Sequence, residues 1–263
     1  DEEFGILFEV KFENKAVKGN LELTKTGEKS ELTDNGYIYT KVNLKGVKIG
    51  LYAKENVYDA IGNLKYKKDT LVKELITDEN GYVKVDDLYL GKYYLQEIET
   101  VNNHVLDKTK YNFNLEYKDQ YTEVINYKTI LENHLPKGIL EFTKSDYSNS
   151  KTLPNTLIEI YNENEELVYS GRTDENGKII IDKLPVGKYY ILEKEAPEGY
   201  KINEEKMYFE ITEDGQVVKC NMLDEAYEVP NTGLSNINYE LIGSIVLIVS
   251  GLGLFLYGTK KRK

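Results

Sequence analysis

Two sets of polar side chains fall on the apolar phase of segments that read as β-strands. Leu21 and Leu23 lead in steps of two to Lys25, and Leu140 and Phe142 lead to Lys144. Tyr93 and Leu95 lead to Glu97, as Tyr189 and Ile191 lead to Glu193. Later, Thr122 and Val124 lead to Asn126, while Val218, Cys220 and Met222 lead to Asp224. A half-buried strand keeps its apolar residues on one face, so each set aims a lysine, a glutamate and an amide or acid at a core. One in-phase charge at a strand end ordinarily reaches solvent by fraying. Three in register, repeated, must neutralise one another, because an unpaired buried charge costs several kcal/mol. Burial favours the neutral amine and the protonated acid. A neutral amine is a nucleophile and a side-chain carbonyl its electrophile, with the glutamate placed to polarise that carbonyl and move protons. The expected product is a Lys25–Asn126 and a Lys144–Asp224 isopeptide bond, promoted by Glu97 and Glu193. Each bond forms once per molecule, which is self-modification and not turnover. Asn221 is a rival acceptor to Asp224; choosing it would turn Lys219 inward and Cys220 and Met222 outward.

The segments that position these residues form a repeat. Thr77-Asp78-Glu79-Asn80-Gly81 recurs as Thr173-Asp174-Glu175-Asn176-Gly177, and Gly91-Lys92-Tyr93-Tyr94-Leu95-Gln96-Glu97 as Gly187-Lys188-Tyr189-Tyr190-Ile191-Leu192-Glu193. Lys18 to Lys25 matches Lys137 to Lys144. Two copies of one module follow, the first with longer internal loops between Ser30 and Ile76. Short alternating runs punctuated by Asn-Gly signals predict antiparallel hairpins, hence an all-β architecture of tandem sandwiches. Asp174-Glu175-Asn176-Gly177 lacks the spacing and closing glutamate of a calcium loop and reads as a turn. Phe8, Val10 and Phe12 alternate with charged residues and Asn14 falls in their phase. Residues 1–16 are therefore expected to be the last strand of a third, upstream module, and the chain a fragment of a longer precursor.

Composition narrows the function. The 263 residues carry a net charge of −11, with 23 Tyr, no Trp and 5 Pro. An acidic surface without a basic-aromatic patch does not suit nucleic acid. The single cysteine, Cys220, excludes an intrachain disulfide framework and reads as a core residue. His104 and His134 lie far apart in sequence. With no Ser-His-Asp order, metal-ligand cluster or phosphate-binding glycine loop, the sequence predicts neither an enzyme nor a cofactor or metal.

The C-terminus reports location. Val229-Pro230-Asn231-Thr232-Gly233 precedes an uncharged apolar run, Leu241 to Tyr257, and the basic cluster Lys260-Lys261-Arg262-Lys263. As a helix the run spans about 26 Å, enough for a bilayer core, with the basic end cytoplasmic. This order resembles the sorting signal of Gram-positive surface proteins. In that family a sortase cuts between threonine and glycine, here Thr232 and Gly233, and joins the threonine to peptidoglycan or to a pilin lysine. A lysine closing the first strand, Gly-Lys-Tyr-Tyr-x-x-Glu before Ala196-Pro197-Glu198-Gly199-Tyr200, and a terminal acceptor resemble the Cna B-type (SpaA-like, prealbumin-like) domain. That resemblance covers residues 17–226 and implies an immunoglobulin- or transthyretin-like sandwich; module one departs from it at Ile98–His104.

The expected order is an upstream strand (1–16), a first Cna B-type domain (17–131), a linker (132–136), a second domain (137–226), the sortase region (227–236), a transmembrane helix (237–258) and a basic tail (259–263). The expected function is a load-bearing stalk anchored in the cell wall of a Gram-positive bacterium. It would be held in the membrane before sorting and would carry a host or cell-surface ligand on an upstream region. The alternative is a sortase-assembled pilus subunit, basal or minor.

Overall fold

A computed structural model describes residues 15–228 apart from Asn102. The upstream strand with Asn14, the pentapeptide from Val229, the apolar run and the basic tail lie outside the described residues. Among the described residues no helix is long and apolar enough to cross a membrane.

Module one contains β1 (Lys18–Thr33), β2 (Gly36–Asn43), β3 (Lys48–Ala53), β4 (Val57–Tyr58), β5 (Leu64–Tyr66), β6 (Leu71–Ile76), β7 (Tyr82–Leu88), β8 (Gly91–Glu99), β9 (Tyr111–Leu115) and β10 (Val124–Glu132). Module two contains β11 (Lys137–Asp146), β12 (Leu157–Asn162), β13 (Leu167–Arg172), β14 (Lys178–Pro185), β15 (Gly187–Glu195), β16 (Met207–Ile211) and β17 (Val217–Asp224). In module one β1 lies between β10 and β7 and then pairs β2, facing a sheet ordered β6-β3-β8-β9. In module two the sheets are β14-β11-β17 and β13-β12-β15-β16. First and last strands of each module run parallel, Lys25 beside Leu131 and Lys144 beside Met222. The all-β tandem sandwich is the observed fold.

Alternation builds both cores. Leu21 and Leu23 pack with Ile49, Leu51, Tyr93, Leu95 and Phe113 between the sheets of module one. Leu140 and Phe142 pack with Ile158, Ile160, Tyr189, Ile191 and Phe209 in module two. The repeated Asp-Glu-Asn-Gly segments are turns. Asp78 Oδ1 accepts the Asn80 and Tyr82 N–H groups, and Asp174 Oδ1 those of Asn176 and Lys178. Gly81 and Gly177 have φ of +65° and +68°, the left-handed region that glycine enters without a Cβ penalty.

Two expectations change. Most of the extra length of module one is not loop: Ser30 to Ile76 holds the end of β1, all of β2, β3 and β6, and the small β4–β5 hairpin. The linker expected at 132–136 is shorter too, because β10 continues to Glu132 and Asn133 turns back into module one.

Candidate functional site: two buried lysine trios

The turn glycines position the lysines. Lys25 N–H donates to Gly81 O at 2.7 Å and Lys25 O accepts from Leu44 at 3.0 Å; Lys144 donates to Gly177 O and accepts from Leu153, each at 2.8 Å. A Cβ on Gly81 would meet Lys25 O at 2.3 Å, and one on Gly177 would meet Lys144 O at 2.8 Å. The same clamp therefore holds both lysine backbones and sends both side chains inward. Lys25 is 1 % exposed and Lys144 is 0 % exposed.

In module one Lys25 Nζ donates to Asn133 Oδ1 at 2.5 Å and lies 3.8 Å from Glu97 Oε1. Asn133 Nδ2 donates to Glu97 Oε1 at 2.7 Å and Oε2 at 2.9 Å, and to Thr100 Oγ1 at 2.9 Å. The Asp107 N–H fixes Glu97 Oε2 at 2.8 Å. Desolvation pulls the Lys25 pKa below its ordinary value even though Glu97, Asp107 and Glu132 oppose the shift.

Asn126 is not in this cluster. It is exposed on the outer phase of β10, opposite Asn20, whose Nδ2 it accepts at 3.2 Å. Lys25 pairs with Leu131, five residues further along and about 17 Å away at strand rise. The inward phase is Ile125, Tyr127, Thr129 and Leu131, and it continues into Asn133. A signal for it was present. This phase carries no charge, whereas the phase through Asn126 also contains Lys128 and Glu132. Thr100 was likewise missed, within the segment where module one departs from the Ala-Pro-x-Gly-Tyr pattern.

In module two Lys144, Glu193 and Asp224 come together. Lys144 Nζ donates to Asp224 Oδ1 in a short contact and to Glu193 Oε2 at 3.1 Å. The Asn203 N–H fixes Glu193 Oε2 at 2.8 Å, as Asp107 does for Glu97. Desolvation raises the Glu193 pKa, although the Asn203 N–H and Lys144 oppose it. Glu193 Oε1 and Asp224 Oδ2 are buried with no hydrogen-bond partner, the kind of orphaned polar atom that native interiors rarely leave unexplained. Asn221 is exposed, and its Oδ1 accepts from the Ser145 hydroxyl at 3.1 Å. The third member of each trio sits two residues beyond the lysine's cross-strand partner: Asn133 after Leu131 and Asp224 after Met222.

His104 is buried against Glu28 and Val101, and His134 pairs with Asp214 at 3.0 Å. Cys220 is half-buried, and burial raises its thiol pKa.

Paired sandwiches whose lysine, glutamate and acceptor join early, late and last strands define a prealbumin-like class of β-module. The family model for the SpaA prealbumin-like fold domain matches residues 19–129 and 138–226, and the chain belongs to that family. Serine-aspartate repeat-containing protein D of Staphylococcus aureus strain Newman is 27% identical over 179 residues, covering 62% of this chain and 13% of that protein. The Bacillus anthracis TIE protein superposes with a TM-score of 0.53 at 30% identity, over 81% of this chain and 34% of that one. BcpA, the major pilin subunit of Bacillus cereus, gives a TM-score of 0.34 at 15% identity, over 80% and 100%. The chain thus spans 13% of the length of the staphylococcal relative.

Proposed function

We propose that the chain is the load-bearing stalk of a cell-wall-anchored surface protein, each module closed by its own isopeptide bond, Lys25 to Asn133 and Lys144 to Asp224. The observation that carries this reading is the burial of each amine against its acceptor, with Nζ 2.5 Å from Asn133 Oδ1 in module one.

Proton balance supports it. In module one a neutral site holds one ammonium, one carboxylate and an amide. Passing the ammonium proton to Glu97 leaves an amine and a carboxylic acid, the direction in which desolvation pulls Lys25. Turning the Asn133 amide by half a rotation about its last side-chain bond brings Oδ1 against protonated Glu97 and exposes Cγ to Nζ. Nζ attacks Cγ, Glu97 relays a proton from nitrogen to Nδ2, the Cγ–Nδ2 bond breaks, and ammonia leaves. In module two a neutral site holds an ammonium and one proton shared by Glu193 and Asp224. Moving the ammonium proton onto the carboxyl pair yields amine and two acids, and attack on Asp224 Cγ releases water.

The bonds would place tension on covalent links between first and last strands. Only the connection from Asn133 to Lys144 would then lie on the force path between the two bonds. Anchoring through Val229-Pro230-Asn231-Thr232-Gly233 by a sortase, first through the membrane and then to peptidoglycan, rests on the sequence pattern and on family membership.

Pulling the chain from both ends tests the mechanical claim. The unlinked variants Asn133→Ala and Asp224→Ala should release about 370 Å and about 270 Å of chain, from sequence separations of 108 and 80 residues. The wild type should show neither step, and module-sized steps in it would end the proposal.

A further inference from the structure

The part of β1 beyond Lys25 leaves module one. From Thr26 paired with Asn43 to Thr33 paired with Gly36, β1 and β2 form a two-stranded arm, about 25 Å long at strand rise. Its tip rests on the pole of module two. Leu32 and Tyr37 pack against that module's core, and the Tyr39 hydroxyl donates to Lys183 O at 2.7 Å. Asn162 Nδ2 reaches the Tyr37 hydroxyl at 3.4 Å. At the root, Lys137 lies 3.9 Å over the Tyr39 ring and pairs with Glu28 at 2.7 Å. Glu28 also accepts the Leu135 N–H at 3.0 Å.

The repeat supplies an internal comparison. Tyr93 occupies in module one the place of Tyr189, donating to Tyr89 O as Tyr189 does to Pro185 O. Asp87 stands for Lys183, both with left-handed φ, 62° and 58°. Module one fills this pole itself. Tyr66 of the β4–β5 hairpin packs on its core, and Lys18, the counterpart of Lys137, holds its ammonium 3.3 Å over Tyr89.

We propose that the arm and the pole of module two are a plug and socket that lock the two modules into one stiff body. The kind of partner this pole takes is a β-hairpin presenting two tyrosines on one face. The pole of module one is closed to such a partner by its own β4–β5 hairpin. Tyr37 and Tyr39 are half-buried aromatic anchors beside a charged rim, residue types that recur at energetic centres of interfaces, and a three-residue connection (134–136) then has little freedom left.

The test uses the full chain in solution and compares wild type with Tyr37→Ala/Tyr39→Ala and with Glu28→Gln. Backbone relaxation should give one rotational correlation time for both wild-type modules. The double variant should give two shorter times and at least tenfold faster protease cleavage at 134–136. Glu28→Gln, which touches neither core, should shift both readouts in the same direction by less. Loss of the core amide resonances in the double variant would pass the decision to Glu28→Gln alone. Independent tumbling in the wild type overturns the proposal. So does unchanged tumbling in the double variant with intact cores, or, where the double variant loses its cores, unchanged tumbling in Glu28→Gln. None of these readouts depends on whether the isopeptide bonds form.

Discussion

Replacing Asn133 with alanine should remove the crosslink of module one, and the size of the effect follows from the topology. Lys25 and Asn133 are 108 residues apart, and chain-entropy reckoning for a closed loop of that length gives about 4.8 kcal/mol. At about 2.1 cal/mol/K per residue, this lowers the module's melting temperature by about 20 °C. Relative to a chain that keeps an unlinked Asn133, truncation also removes the Nδ2 hydrogen bonds to Glu97 and Thr100, worth about 1–3 kcal/mol together. Glu97→Gln separates the two contributions, because it blocks proton relay while nearly preserving shape. Asn126→Ala is the matched control. That residue is exposed and touches Asn20, so a change within about 0.5 kcal/mol is expected. Scanning calorimetry with intact mass measurement on all three variants is the assay. Asn133→Ala and Glu97→Gln should each show no ammonia loss relative to their own sequence mass, whereas Asn126→Ala should show that loss. Loss of the link in Asn126→Ala, or its persistence in Asn133→Ala, would refute the geometric argument.

Other outcomes follow from the same structure. Glu193→Gln should leave module two unlinked, one water heavier than the linked product after allowing for the substitution, and should lower its melting temperature by a comparable amount, from a loop of 80 residues and about 4.5 kcal/mol. Folding chain that was recovered unfolded and still unlinked, at different pH, should separate the modules. Lys25 has a lowered pKa, so its neutral fraction grows as pH rises through that value and linkage in module one accelerates. Glu193 has a raised pKa and loses its proton as pH rises through it, so linkage in module two slows; timed mass spectra read both. Burial alone would raise the Glu28 pKa, but Lys137 and the Leu135 N–H hold it below the ordinary 4.5. The contribution of Glu28 to the module joint is therefore complete above that ordinary value and lost as pH falls through the depressed one, which relaxation measurements in acid should register as looser coupling. Thr232→Ala should stay in the membrane fraction of a host with a matching sortase, whereas wild type appears in the wall fraction; equal wall attachment would end the sorting claim.

What the sequence revealed was what local periodicity encodes. Alternation and the repeated Asp-Glu-Asn-Gly turns were enough for two all-β sandwiches, and the in-phase charges were enough to single out Lys25, Glu97, Lys144, Glu193 and Asp224. Asn126 follows Thr122 and Val124 in phase, and the other phase, which leads to Asn133, begins with apolar residues as well. The deciding fact is the parallel register with β1, set by residues more than a hundred positions away. The arm was hidden for the same reason: Leu32 and Tyr37 look like strand residues without a core, and their core belongs to the other module.

The most direct measurement is tandem mass spectrometry of a proteolytic digest of the unreduced wild-type chain. Peptides containing Lys25 and Asn133 should emerge joined and lighter by one ammonia, and those containing Lys144 and Asp224 joined and lighter by one water. Free lysine peptides at both positions would contradict the account.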